Sequence, residues 1–127
     1  MTHWLVDGNN VMGARPDGWW RDRAAAAIRL AEQVRSWAHT HPDPVTLFFD
    51  GAPVPILAAW PESAAFQVVF ASRSGPDAAD DDIVAWASRL PGEVRVVSSD
   101  RGLRARLPEA VAVEGAGGFL RRLMAPG

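Results

Sequence analysis

Three apolar runs that each end in an aspartate constrain the fold of this chain most strongly. Asp7 follows the first run, Asp50 follows the second, and Asp100 follows the third after two serines. Short apolar runs bounded by turn residues are typical of buried strands, and the glycines after the first two acids suit a turn. Because the carboxyl ends of parallel strands share one edge of a sheet, these strands would deliver their acids to one place.

Segments with helical spacing separate the apolar runs. Apolar residues recur every three or four positions from about 22 to 38 and from 77 to 90, and prolines follow both segments. Further strands are expected at 66–71 and 110–113, with short helices from residue 11, within 52–61, at 101–107 and at 117–124. This alternation predicts an α/β fold, a three-layer α/β/α sandwich with a mostly parallel sheet of about five strands.

Composition narrows the class of protein. The 127 residues, 48% of them hydrophobic, fit a single domain over residues 1–127. There is no cysteine and no lysine, which excludes zinc-thiolate sites, cysteine nucleophiles and phosphate-loop or Schiff-base lysines. No secretory signal pattern and no apolar run of about 20 residues is present, so we expect a cytoplasmic protein that does not span a membrane.

A fourth acid, Asp80, is expected beside the other three. It precedes Ile83 by three positions and so continues the helical stripe that faces the sheet, whereas Asp81 and Asp82 are expected to be more solvated. The alternative is a capping box, with Asp77 as the N-cap and Asp80 as its third residue. That alternative accounts for the helix start but leaves the three strand-end acids unexplained.

Four carboxylates within a few ångströms would repel each other and raise each other's pKa unless a cation lay between them. Oxygen ligands suit a hard ion, so we expect Mg²⁺ or Mn²⁺ bound by Asp7, Asp80 and Asp100. Such an ion could polarise a phosphodiester and generate hydroxide from bound water.

Four segments resemble the NYN branch of the PIN-like nuclease superfamily, most closely its bacterial YacP-like group. They are 6–10 (VDGNN), 48–51 (FFDG), 79–83 (ADDDI) and 96–100 (VVSSD). The YacP-like pattern has an aromatic residue where this chain has Asn9. The resemblance implies a metal-dependent ribonuclease that acts on structured or translated RNA, with Asp80 as a metal ligand and Asn10 orienting Asp7 or a substrate phosphate.

An acidic site needs basic groups around it to hold RNA, since phosphate contacts supply most of the affinity. Arg101 is the first candidate because it follows Asp100 directly; the others on loops at the same edge are Arg15, Arg73, Arg104 and Arg106. Solvated surface arginines are the alternative for all of them.

Aromatic and hydroxyl side chains supply further candidates for holding substrate. Trp19 and Trp20 are candidates for base stacking, with packing before the long helix as the alternative. Ser98 and Ser99 are expected to orient carboxylates or metal-bound water, and Ser99 is included among the substrate-binding candidates.

The first functional hypothesis is a metal-dependent endoribonuclease with Asp7, Asp50, Asp80 and Asp100 as catalytic residues. The second is a non-catalytic RNA- or ribosome-binding module with the same fold. A phosphatase-like hydrolase is disfavoured, because Asp7 lacks a second aspartate two residues later and the chain has no lysine. The sequence leaves monomer and homodimer open.

Overall fold

A computed structural model describes residues 1–71, 75 and 77–125. Strands and helices alternate along the chain. The strands are β1 (Thr2–Asp7), β2 (Val45–Phe49), β3 (Phe66–Phe70), β4 (Glu93–Val97) and β5 (Ala112–Glu114). The helices are α1 (Gly8–Gly13), α2 (Arg23–Ala38), α3 (Pro55–Ala58), α4 (Ala78–Arg89), α5 (Arg101–Arg106) and α6 (Ala116–Met124), with a 3₁₀ turn at Trp19–Arg21.

The described residues form a five-stranded sheet in the order β3-β2-β1-β4-β5, and every pairing in it is parallel. Strand β1 lies at the centre, with Asp7 opposite Phe48 of β2 and Val6 opposite Val97 of β4. The strand order reverses between β1 and β4, which is where ligands bind in open parallel sheets. The predicted mostly parallel sheet of about five strands is confirmed.

Helices cover both faces of the sheet. Val6 and Leu47 lie in one core with α2 and α6, whereas Leu5 and Phe48 lie in a second core with α4 and α5. This division follows from the alternation of side chains along a strand. Because Asp7 is two residues after Leu5, its side chain belongs to the face that α4 covers.

The connection from β3 to β4 carries α4 across the sheet. Since β3 is an edge strand and β4 lies beyond β1, the helix must cross β2 and β1, and it packs against both of them and against β4. Ile83 and Ala87 are buried on this face. The start of α4 therefore lies on the same side of the sheet as Asp7.

Most predicted elements are present, with two shifts in their bounds. The last strand was predicted at 110–113 but runs over Ala112–Glu114, because a turn in which the Val111 N–H donates to the Pro108 carbonyl precedes it. Helix α1 begins at Gly8, directly after β1, rather than at residue 11. No helix in the described ranges is long and apolar enough to cross a membrane.

Candidate active site

The three strand-end acids reach the same edge of the sheet at different depths. Asp7 is only 4% exposed at the end of β1, Asp50 is partly buried after β2, and Asp100 is exposed after β4. Asp80, in the first turn of α4, is 7% exposed. We call these four residues the acid centre.

Ser98 connects two members of the acid centre. Its buried hydroxyl donates to Asp7 Oδ2 at 2.9 Å and accepts from the Asp100 backbone N–H at 3.1 Å. The prediction that Ser98 orients a carboxylate is confirmed. Both acids also cap helices, since Asp7 Oδ1 accepts from the Asn10 N–H at 3.4 Å and Asp100 Oδ1 accepts from the Gly102 N–H at 2.8 Å.

The amides after Gly8 connect β1 to its two neighbouring strands. Asn9 Oδ1 accepts from the Asp50 N–H at 2.6 Å, beyond β2, and Asn10 Oδ1 accepts from the Ser99 N–H at 2.8 Å, beyond β4. Sequence pattern alone predicted no such role for Asn9. The sequence does contain a signal for this role, because two consecutive asparagines follow the Asp-Gly at the end of β1. The strands on either side of a central β1 both end near that position, so each amide can reach one of them.

The capping-box interpretation of the α4 start is wrong. Asp77 occupies the N-cap position with φ of 61° and makes no side-chain capping bond. Asp50 supplies the cap instead, since its Oδ1 accepts from the Ala79 N–H at 2.6 Å. An acid at the end of β2 therefore fixes the first turn of the helix that carries Asp80.

Asp80 is a buried acid that makes no hydrogen bond to any described residue. Its pKa is raised to about 6, chiefly by burial and in addition by the negative charges of Asp7, Asp100, Asp77 and Asp50. Asp81 and Asp82 are more exposed than Asp80, as the helical spacing predicted.

Asp7 has a comparable environment. Burial is the largest cause that raises its pKa to about 6, and the charges of Asp50 and Asp100 act in the same direction. The hydrogen bonds from Ser98 and Asn10 oppose this shift because they stabilise the ionised carboxylate. Asp7 and Asp80 are thus two buried carboxyl groups with raised pKa values, and the charge of Asp7 is one of the causes that raise the pKa of Asp80.

The carboxylate oxygens of the acid centre suit a hard cation. Among the described residues, no three His, Asp or Glu side chains already lie close enough together to form a metal site. Magnesium sites often use one or two carboxylates and are completed by water and substrate phosphates. Asp80 fits a ligand of this kind, because its oxygens accept no hydrogen bond from any described residue and the neighbouring acids disfavour its negative charge. Asp7 Oδ1 and the second oxygen of Asp100 would complete the protein's share.

The predicted basic residues lie in different places. Arg104 is anchored at the site, because its Nε donates to the Ser98 carbonyl at 2.8 Å, while Arg101 is exposed on the first turn of α5. Arg106 pairs with Asp81 at 2.7 Å. Arg15 turns away and donates to Gln33 of α2.

Two further substrate-binding candidates remain. Arg73 lies outside the described residues. Ser99 is exposed and lies at the site, but its polar groups already have partners in the protein: its N–H donates to the Asn10 side chain, and its Oγ accepts from the Ala116 backbone N–H at 2.9 Å.

Solved structures share this arrangement of strands and helices. The crystal structure of Rae1 (YacP) from Bacillus subtilis matches with a TM-score of 0.75 and 20% identity, covering 98% of this chain and 74% of that one. The chain has the YacP fold. A single-substitution mutant of the same protein matches with a TM-score of 0.76 and 20% identity, over 98% of this chain and 76% of that one.

A second solved structure shares the fold at a lower TM-score. The T5 D15 protein, co-crystallised with metal ions, matches with a TM-score of 0.53 and 16% identity, over 96% of this chain and 56% of that chain. No protein-family model matches this chain, and no curated protein matches it in sequence. The fold implied by the four sequence motifs is therefore confirmed through structure.

Proposed function

We propose that this protein is a metal-dependent endoribonuclease that hydrolyses RNA phosphodiesters at the acid centre. The observation that carries the proposal is the buried pair Asp7 and Asp80, whose pKa values are both raised to about 6 by burial and by neighbouring acids. Two buried carboxyl groups of this kind destabilise the folded state when they are ionised, so folding by itself does not account for them. Acids with perturbed pKa values cluster at functional sites. The YacP fold of the chain, together with the resemblance of its four motifs to PIN-like nucleases, supports the same activity.

In this proposal Asp7, Asp80 and Asp100 would hold Mg²⁺ or Mn²⁺, which when bound would polarise the phosphodiester and lower the pKa of a bound water. Ser98 orients Asp7 and favours its ionised form through its 2.9 Å hydrogen bond. Asp50 caps α4 through the 2.6 Å bond to the Ala79 N–H and so holds Asp80 at the site, while its charge raises the pKa of both buried acids.

Arg104 is the basic group best placed to receive the substrate backbone. Its Nε is engaged by the Ser98 carbonyl, and one of its terminal nitrogens would lie 3.5 Å from a Cβ built on Gly115. The guanidinium is therefore fixed beside Ser98 and the start of α6. A phosphate bound there would lie next to the acid centre, and its charge would be partly neutralised.

A cleavage assay tests the proposal. Single-stranded and structured RNA are incubated with wild type, Asp7→Asn and Asp43→Asn, each with Mn²⁺ and with chelator. Asp43 is a matched control because its Oδ1 accepts from the Thr2 N–H at 3.1 Å at the opposite end of the sheet. We expect Mn²⁺-dependent products from wild type and Asp43→Asn and none from Asp7→Asn.

Identical products from wild type and Asp7→Asn would refute the catalytic proposal. RNA binding without cleavage by wild type would favour the non-catalytic RNA-binding module instead.

A further inference from the structure

A groove of about 430 Å³ opens beside the acid centre, between α1 and the start of α6. We call it the Trp19 groove. Its walls include Asn9, Asn10, Gly13, Trp19, Ser99 and Gly117. The described residues that line it include no acid, so its walls do not repel a phosphate as the acid centre does.

Trp19 forms a fixed aromatic wall of this groove. Its ring meets that of Trp20 edge to face with centroids 6.0 Å apart, and the Arg23 guanidinium lies 5.7 Å from its centroid. A Cβ built on Gly13 would lie 3.8 Å from Trp19 Cζ2, so the missing side chain of Gly13 leaves space beside the indole. Trp20, in contrast, is 60% exposed and does not line the groove.

The asparagine amides supply hydrogen-bond donors to the same groove. Because Asn9 Oδ1 accepts from Asp50 and Asn10 Oδ1 accepts from Ser99, the two NH₂ groups remain for other partners. Neither NH₂ group has an acceptor in the part of the chain that the structure describes. Amide donors beside an aromatic ring are groups that recognise an unpaired base and its phosphate.

We infer that the Trp19 groove binds one unpaired nucleotide of an RNA strand, immediately beside the phosphodiester at the acid centre. The base stacks on Trp19, and the NH₂ groups of Asn9 and Asn10 donate to acceptors on the nucleotide. The groove adjoins the acid centre because Asn10 bonds to Ser99, the residue between Ser98 and Asp100. This inference rests on the proposed function and adds a requirement for a single-stranded segment at the cleavage position.

Equilibrium binding tests the groove without any cleavage. Binding of a labelled single-stranded RNA hexamer is measured by fluorescence anisotropy. The protein carries Asp7→Asn and, in addition, Trp19→Ala, Trp19→Phe or Trp20→Ala. We expect Trp19→Ala to weaken binding by roughly 5- to 160-fold, the range for loss of one stacked base. Trp19→Phe should weaken it less, and Trp20→Ala, which removes an edge-to-face neighbour of Trp19 but no residue that lines the groove, should also weaken it less than Trp19→Ala.

An abasic nucleotide, moved one position at a time along the hexamer, locates the stacked base. One abasic position should weaken binding to the Asp7→Asn protein and have no further effect when Trp19→Ala is present. An equal loss with both tryptophan variants, or the same abasic effect in the presence and absence of Trp19, would overturn the inference.

Gly13→Leu provides a second variant that does not remove the indole. Its Cβ meets Trp19 at an ordinary contact distance, so the side chain should fill the groove and weaken RNA binding while thermal stability is retained. If cleavage depends on Asp7 but neither Trp19→Ala nor Gly13→Leu weakens binding, the groove inference alone fails. If Trp19-dependent binding is found without Asp7-dependent cleavage, the proposed function fails and the groove stands.

Discussion

The Ser98 hydroxyl donates a 2.9 Å hydrogen bond to Asp7 Oδ2 in the interior, where both side chains are buried. This bond lowers the pKa of Asp7, while burial and the neighbouring acids raise it to about 6. Ser98 also accepts from the Asp100 N–H, so one hydroxyl fixes the end of β1 against the segment after β4. The ionisation of Asp7 thus depends on a serine 91 positions away in sequence.

Replacing Ser98 should raise the pKa of Asp7 further, because the donor that favours its charged form is lost. We expect Ser98→Ala to lower stability by roughly 1–3 kcal/mol, the cost of breaking a buried hydrogen bond. RNA cleavage should fall more at pH 6 than at pH 8. Ser88→Ala is the matched control, since the Ser88 hydroxyl bonds only the Val84 carbonyl on the exposed side of α4. An acid limb of the pH–rate profile that does not move would contradict this prediction.

The metal-free protein should lose stability as pH rises through about 6, the value to which the pKa of Asp80 is raised in the folded state. A raised carboxyl pKa means that the folded state holds the proton more tightly than the unfolded state does. The favourable contribution is therefore complete below the ordinary value of 3.8 and is lost as pH rises through about 6.

Asp80→Asn removes this titration. In chelator, it should match wild type near pH 4 and exceed it by roughly 1–3 kcal/mol near pH 7.5, as a two-unit pKa shift implies. Urea denaturation at several pH values measures the difference. A variant that is less stable than wild type at every pH would show that the Asp80 charge is not repelled.

Mn²⁺ should stabilise wild type but not Asp80→Asn. Ligand present at 100 times its Kd stabilises a protein by about 2.7 kcal/mol, which corresponds to several degrees in Tm. Asp82→Asn is the matched control, because Asp82 is two positions along α4 and more exposed. Equal Mn²⁺-dependent shifts in Tm for Asp80→Asn and wild type would remove Asp80 from the metal ligands.

Gly8→Ala should be strongly destabilising. A Cβ at this position would lie 2.5 Å from the Phe48 carbonyl oxygen and 2.6 Å from Phe49 Cε1, so the chain between Asp7 and Asn9 would have to move. We expect a loss of about 3 kcal/mol or more in the free energy of unfolding.

Gly118→Ala in α6 is the control for Gly8→Ala. A Cβ there has no contact closer than 3.7 Å, and alanine is the better helix former by about 1 kcal/mol. Gly118→Ala should therefore be neutral or stabilising in the same urea measurement. Equal stability of the two variants would contradict the close approach at Gly8.

Removing the Asn9 amide should weaken the acid centre indirectly. Asn9 Oδ1 holds the Asp50 N–H, and Asp50 in turn caps α4 at Ala79, one residue before Asp80. We expect Asn9→Ala to cost roughly 1–3 kcal/mol of stability and to reduce the Mn²⁺-dependent Tm shift. Gln67→Ala is the control, because its amide makes only a 3.5 Å bond to Thr46. An unchanged Mn²⁺ shift in Asn9→Ala would separate Asn9 from the acid centre.

Local sequence pattern determined the elements that bury continuous apolar runs. Strands β1, β2 and β4 lie in the three apolar runs, and Asp7, Asp50 and Asp100 lie at or after their carboxyl ends as the sequence indicated. The last strand begins two residues later than predicted, because the turn at Pro108 includes the start of the apolar run. Apolar character alone did not show which residues of that run pair with β4. Apolar periodicity is a property of neighbouring residues, so it can be read without the fold.

The tertiary structure alone decided which groups meet. That Asp50 caps α4, that Asn9 and Asn10 hold the segments on either side of β1, and that Arg104 is anchored at Ser98 all depend on the strand order β3-β2-β1-β4-β5. Residues tens of positions apart become neighbours only once that order is set. Burial, which raises the pKa of Asp7 and Asp80, is likewise a property of the packed layers: the sequence specified the acids, and packing set their charge.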